Sequence, residues 1–172
     1  MGQGVKISEL AEKMGLKNLT PDVDLANKRI NVPEVNRPAL QLTGFFDHFA
    51  YDRVQIVGYV EYTYLQTLEE DRKQQIYDEL LSRQVPCIVF SRNLEPEEEL
   101  LELARSRDIP VMQTSRQTSA FMGELIRWMN VKLAPCITIH GVLVDVYGEG
   151  VLIMGESGIG KSEAALELIK RG

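Results

Sequence analysis

The chain has 172 residues, 44% of them hydrophobic, with a formal net charge of -6 and an isoelectric point near 5.0. That length holds one full domain plus the start of another, and the acidic balance offers no diffuse basic surface for a nucleic-acid backbone. No apolar stretch approaches the roughly 20 residues a membrane span needs and no signal peptide opens the chain, so the expectation is a cytoplasmic protein that binds neither nucleic acid nor membrane.

In chain order, Ile7, Leu10, Ala11 and Met14 stand at helical spacing, with Ser8 near the start and Gly15 as a stop. Pro21, Pro33 and Pro38 break up residues 19–50, where Ile30, Val32 and Val35 suit short strands between turns. Residues 53–60 predict a strand. Residues 65–83 predict one helix with Ile76, Leu80 and Leu81 inward and Glu69, Glu70, Asp71, Arg72 and Lys73 mostly in solvent. A buried strand over 85–90, a helix over 96–106, a short strand over 110–112 and a helix over 115–129 follow. This alternation argues an α/β layer with an at least partly parallel sheet.

In the last of these helices Phe121, Leu125, Trp128 and Met129 form an apolar stripe that reads as core. The acidic run Glu95, Glu97, Glu98, Glu99 and Glu102, with Pro96 at the first helical position, reads as a solvated helix start whose charges suit the dipole. Cys87 and Cys136 each follow a proline at the head of an extended run, and read as small buried hydrophobes in a reducing compartment. His48 reads as an ordinary surface or partly buried histidine.

The helical signal ends between Asn130 and Ala134, and Pro135 opens a second region, giving domains 1–130 and 131–172. Cys136 to Tyr147 is extended, with Val142, Val144 and Val146 alternating against Leu143, Asp145 and Tyr147. Gly148-Glu149-Gly150 makes a tight turn into Val151 to Met154, so the two runs form an antiparallel hairpin. A parallel pair would need a crossover for which there is no room.

Gly155-Glu156-Ser157-Gly158-Ile159-Gly160-Lys161-Ser162 then fits G-x-x-x-x-G-K-[ST], between an apolar run and a helix-like stretch, the setting of a phosphate-binding loop. Gly155, Gly158 and Gly160 allow turns closed to residues with a Cβ, so that successive N–H groups line a nest around phosphate oxygens. The positive end of the following helix adds to it. Lys161 reaches the outer phosphates as a point charge, and the Ser162 hydroxyl holds a magnesium ion. The motif specifies a bound nucleoside triphosphate and leaves the reaction open. On pattern alone His140, in a strand beside Gly141, is more often a packed, hydrogen-bonded residue than a catalytic one.

Ile139 to Gly148, Gly150 to Met154, Gly155 to Glu163 and Leu166 to Gly172 together resemble the bacterial HPr kinase/phosphorylase family, as do Arg37 to Phe46 and Ser91 to Pro96 upstream. One departure is Glu156, where the family more often shows aspartate; a carboxylate remains. The resemblance implies an N-terminal α/β domain followed by the start of a phosphate-loop kinase domain resembling phosphoenolpyruvate carboxykinase. It implies a hexameric, allosteric enzyme that phosphorylates a serine of HPr, the phosphocarrier of the sugar phosphotransferase system, with Mg-ATP or pyrophosphate. The same enzyme reverses the reaction by phosphorolysis, in the service of carbon catabolite repression.

Carried over by position, residues Gly155 to Ser162 bind the nucleotide phosphates, Lys161 neutralises the transferred group, Ser162 ligates Mg2+, and His140 belongs to the catalytic centre. The family's general base, one of an aspartate pair just past the phosphate-loop helix, falls beyond Gly172. The expectation is therefore an incomplete fragment with weak or no kinase activity alone. Two other readings stay open. One is a non-catalytic assembly or regulatory module. The other is an unrelated phosphate-loop ATPase or GTPase, which parallel strands on both sides of Val151 to Met154 would mark.

Overall fold

The computed structural model describes residues 4–171; residues 1–3 and Gly172, at the outer ends of the two expected domains, lie outside the described residues. The chain divides into two compact units after Ala134.

The first unit runs β1 (Val5–Lys6), α1 (Ile7–Met14), β2 (Lys17–Asn18), β3 (Arg29–Ile30), β4 (Val35–Asn36), a 3-10 turn (Gln41–Thr43), β5 (Val54–Val57), α2 (Tyr59–Leu65), α3 (Glu70–Ser82), β6 (Ile88–Phe90), α4 (Glu98–Ser106), β7 (Val111–Gln113) and α5 (Thr118–Leu133). Its five-stranded sheet has the order β2-β7-β6-β5-β4. Neighbours from β4 to β7 are parallel, and β2 closes the far edge antiparallel to β7. β1 and β3 form a separate antiparallel pair.

Every residue of β5, β6 and β7 is buried. Such strands need cover on both faces, and their alternation divides them between two cores. Val57, Ile88, Phe90 and Val111 pack with Ile76, Leu80 and Leu81 of α3 and Leu100 and Ala104 of α4. Val54, Ile56, Val89 and Met112 pack with Ile7, Leu10 and Met14 of α1 and Phe121, Leu125 and Met129 of α5. The stripe expected on the last helix is core, with Trp128 only partly buried at its margin. α1 ends as its sequence predicts, with Gly15 in the left-handed region at φ 62°.

Four readings of this unit need correction. The strand expected over 53–60 stops at Val57, because the Gly58 N–H is taken by Glu61 Oε2 at 3.0 Å and a helix starts there. That contact carries the β-prone residues Tyr59, Val60 and Tyr62 into α2. The single helix expected over 65–83 is accordingly two, α2 and α3, separated by a turn in which the Thr67 N–H donates to Tyr64 O at 2.9 Å. The helix expected over 115–129 is Thr118–Leu133, shifted toward the end of the unit.

The fourth concerns charge. Lys73, expected in solvent, is 6% exposed, with Nζ 2.7 Å from Glu70 Oε1 and 2.9 Å from Glu97 Oε1. Hydrogen bonds to these two carboxylates hold its pKa above the usual lysine value. Glu97 also accepts the Tyr77 hydroxyl at 3.1 Å, and burial pushes that phenol's pKa well up. Glu97 is thus the N-cap of α4 and ties it to α3, with Pro96 before the cap rather than at the first helical position.

The second unit comprises β8 (Gly141–Val146), β9 (Glu149–Met154) and α6 (Lys161–Arg171). The expected antiparallel hairpin is present, but its turn is Tyr147-Gly148, since Val146 pairs with Glu149. Both turn residues have positive φ, 55° and 84°, as a type I′ turn requires, and Asp145 Oδ1 accepts the Gly148 N–H at 2.8 Å. Val144 is buried and Val142 and Val146 half-buried, against exposed Leu143 and Asp145, so the alternation holds.

The cysteines differ from each other. Cys87 is buried, its thiol pushed up to about 12 by burial. Cys136, expected to be buried too, is exposed in the unassigned stretch before β8. One thiol per chain is expected to react with a maleimide in the native protein and two after denaturation, counted by intact mass. Replacing Phe121 by alanine is expected to cost about 3–5 kcal/mol in a urea melt.

Candidate functional site

β9 ends at Met154, and the chain then turns through residues 155–160 into α6. Gly158 and Gly160 have φ of 84° and 94°, a region that L side chains rarely adopt. The turn exposes its amides: from Glu156 to Gly160 only the Ile159 N–H has a backbone acceptor among the described residues, Glu156 O at a long 3.4 Å. Helix bonding resumes where the Ala164 N–H donates to Gly160 O at 3.0 Å. A row of free N–H groups at the start of an 11-residue helix is an anion-binding arrangement.

Lys161, the first helical residue, folds back over the turn, its Nζ donating to Gly155 O at 2.7 Å and Glu156 O at 2.5 Å. The ammonium therefore sits against the loop and has a third donor left. The Ser162 side chain is exposed one residue further on, as are Glu156, Ser157 and Ile159. The donor set, a backbone nest with a lysine and a hydroxyl beside it, fits the phosphates of a nucleotide with a magnesium ion on Ser162. The fold thus gathers all eight residues Gly155 to Ser162 in one loop.

His140 lies one step before the first ladder pair, Gly141 with Met154. It stands just outside the ladder at the hairpin end from which the loop departs, and it is exposed. His48 is exposed in a turn of the first unit, with φ 59°. Sequence reading gave no role to Arg37 and Arg92, which face a common cavity in the first unit; proximity across a sheet edge leaves no local pattern.

No helix among the described residues is long and apolar enough to cross a membrane.

Comparison with known proteins covers almost the entire chain. The family model described as HPr Serine kinase N terminus matches residues 5–129, and that of the HPr Serine kinase C-terminal domain matches residues 131–172. The HPr kinase/phosphorylase of Lachnoclostridium phytofermentans is 59% identical over 168 residues, covering 98% of this chain and 54% of that protein. That of Alkaliphilus metalliredigens is 42% identical over 170 residues, covering 99% and 55%. The chain spans about half the length of the curated relatives it matches. Among solved structures, the CBS and DRTGG domains of the regulatory region of Clostridium perfringens pyrophosphatase align at a TM-score of 0.49 and 14% identity, over 72% of this chain and 46% of that one.

Replacing Lys161 by alanine is expected to weaken binding of Mg-ATP by about tenfold or more in a calorimetric titration. Unchanged affinity would place the nucleotide elsewhere.

Proposed function

Because this chain belongs to the HPr serine kinase family, we propose that it supplies the N-terminal domain and the phosphate-loop section of an HPr kinase/phosphorylase. In the forward direction a serine hydroxyl of HPr attacks the terminal phosphorus of ATP, or of pyrophosphate, forming phosphoserine and releasing ADP or phosphate. In reverse, an oxygen of inorganic phosphate attacks phosphoserine, the P–O bond to serine breaks, and pyrophosphate leaves.

The observation that carries this reading is the loop at the end of an antiparallel hairpin, within a stretch that matches the family's C-terminal domain. The amides of residues 156–160 cradle the phosphates. Lys161 exchanges its two carbonyl acceptors for phosphate oxygens and steadies the charge on the group in flight. Ser162 holds the magnesium ion, which supplies charge neutralisation between phosphates when bound. His140, just outside the ladder at the hairpin end from which the loop departs, orients or steadies the transferred group.

The kinase domain on this reading is of the phosphoenolpyruvate carboxykinase kind. The assembled enzyme is a cytoplasmic hexamer serving carbon catabolite repression. β8 lies beside β9 and is antiparallel to it, which speaks against an ATPase or GTPase with parallel strands on both sides of the loop strand.

The test is phosphorylation of HPr by the protein carrying this chain at the length of its relatives, read by intact mass. With Mg-ATP the serine is expected to be phosphorylated, and Lys161→Ala to reduce the rate by about a hundredfold or more. Phosphorylation that survives Lys161→Ala unchanged would exclude the assigned loop.

A further inference from the structure

The parallel strands of the first unit end at a common edge, the edge at which parallel α/β sheets receive ligands. Arg37 follows β4 directly, Tyr59 stands two residues past β5, Arg92 two residues past β6, and Thr118 and Ser119 open α5 after β7. Together with Val60 they line one cavity of about 210 Å³. The chain leaves β5 toward the core that holds α3 and leaves β7 toward the core that holds α5. The connection after β6 runs to the same core as that after β5, through α4, so the chain changes face only after β7, and the crevice lies at the strand ends where α5 departs to the other side.

The lining holds two guanidinium groups and no carboxylate, in a chain of net charge -6. Glu61 stands behind the wall, 3% exposed, and accepts Arg37 Nη2 at 2.7 Å and the Gly58 N–H at 3.0 Å. It holds the Arg37 fork while leaving most of its five donors free. A Cβ on Gly58 would stand 2.9 Å from Thr118 Oγ1 and 3.1 Å from Glu61 Oε2, so only glycine lets these walls close. Behind them the Ser91 hydroxyl donates to Val57 O at 3.2 Å, leaving the Thr118 hydroxyl, 2.7 Å away, to donate to Ser91.

Arg92 is held by a bend of its own. It and Asn93 both have positive φ, 60° and 55°, which costs of order 1 kcal/mol per residue. The bend is fixed by Arg92 N–H to Arg116 O at 3.0 Å and Asn93 N–H to Thr114 O at 2.9 Å. Arg116 is itself paired with Glu124, whereas the Arg92 guanidinium has no hydrogen-bond or ion-pair partner among the described residues.

We propose that this cavity binds a single phosphoryl group, as free phosphate or as the head of a small phosphate ester, in addition to whatever the loop at 155–162 holds. Arginine forks match phosphate oxygens bidentately. Donors converge here from the ends of β4 and β6 and from the first residues of α5, which suits a tetrahedral dianion. The volume is below the roughly 300 Å³ at which pockets for drug-sized ligands begin, a size that suits a phosphoryl group. The inference does not rest on the kinase reading.

The test uses the 172-residue chain, labelled with nitrogen-15 and titrated with sodium phosphate and, in a parallel series, with glycerol 3-phosphate. The amide signals of Arg92, Ser119 and Ala120 report this cavity, and those of residues 156–160 report the phosphate loop separately. The expected result is saturable shifts at the first set that persist in Lys161→Ala and weaken by about tenfold or more in Arg92→Gln, a substitution at an exposed position. Tighter saturation by glycerol 3-phosphate assigns the site to an ester, and tighter or equal saturation by phosphate to the free ion. Shifts that are absent, that do not saturate, or that Arg92→Gln leaves unchanged overturn the proposal.

Discussion

Three short strands buried at every position constrain everything else in the first unit. A strand with no exposed face must be covered twice, and with strands of only three or four residues each core receives one or two side chains per strand. Ile88 and Phe90 go one way and Val89 the other. The helices are therefore set by the sheet, α3 and α4 on one side and α1 and α5 on the other. The parallel connections bring the loops after β4, β5, β6 and β7 to one edge, where Arg37, Gly58, Arg92 and Thr118 meet although up to 81 residues separate them, counting from 37 to 118.

The second unit uses a different economy of parts. Its loop depends on a two-stranded ladder in strict register and on a turn that returns the chain without a residue to spare. The ladder fixes the end from which the loop departs, and the glycines at 158 and 160 fix how the amides are presented. The ladder and the helix laid on it position the loop.

Much of this was legible in the sequence where the signal is local. The α1 stripe with its glycine stop, the stripe of α5, the hairpin and the phosphate loop each carry a period or a motif within a few residues. What was misread depends on one distant or unusual contact. Tyr59, Val60 and Tyr62 have strand propensity, and a single carboxylate, Glu61, turns them into a helix. Lys73 looks like a surface residue of an acidic helix until Glu97, on the next helix, is seen to reach it. The turn at Tyr147-Gly148 was displaced by a residue because tyrosine is a poor predictor of positive φ. Arg37 and Arg92 stand in the sequence only within the family-like stretches Arg37 to Phe46 and Ser91 to Pro96, since a shared cavity at a sheet edge is a property of topology.

The back-folded Lys161 has a further consequence for the loop. With its ammonium on Gly155 O and Glu156 O, the lysine acts as an internal placeholder that draws the two ends of the turn together. On the proposed reading, an arriving phosphate would displace these carbonyls, so that ligand entry would be an exchange of acceptors rather than the capture of a free, hydrated charge. The loop thus carries its own internal brace, a single ammonium that ties the carbonyls at its start to the first residue of the helix at its end.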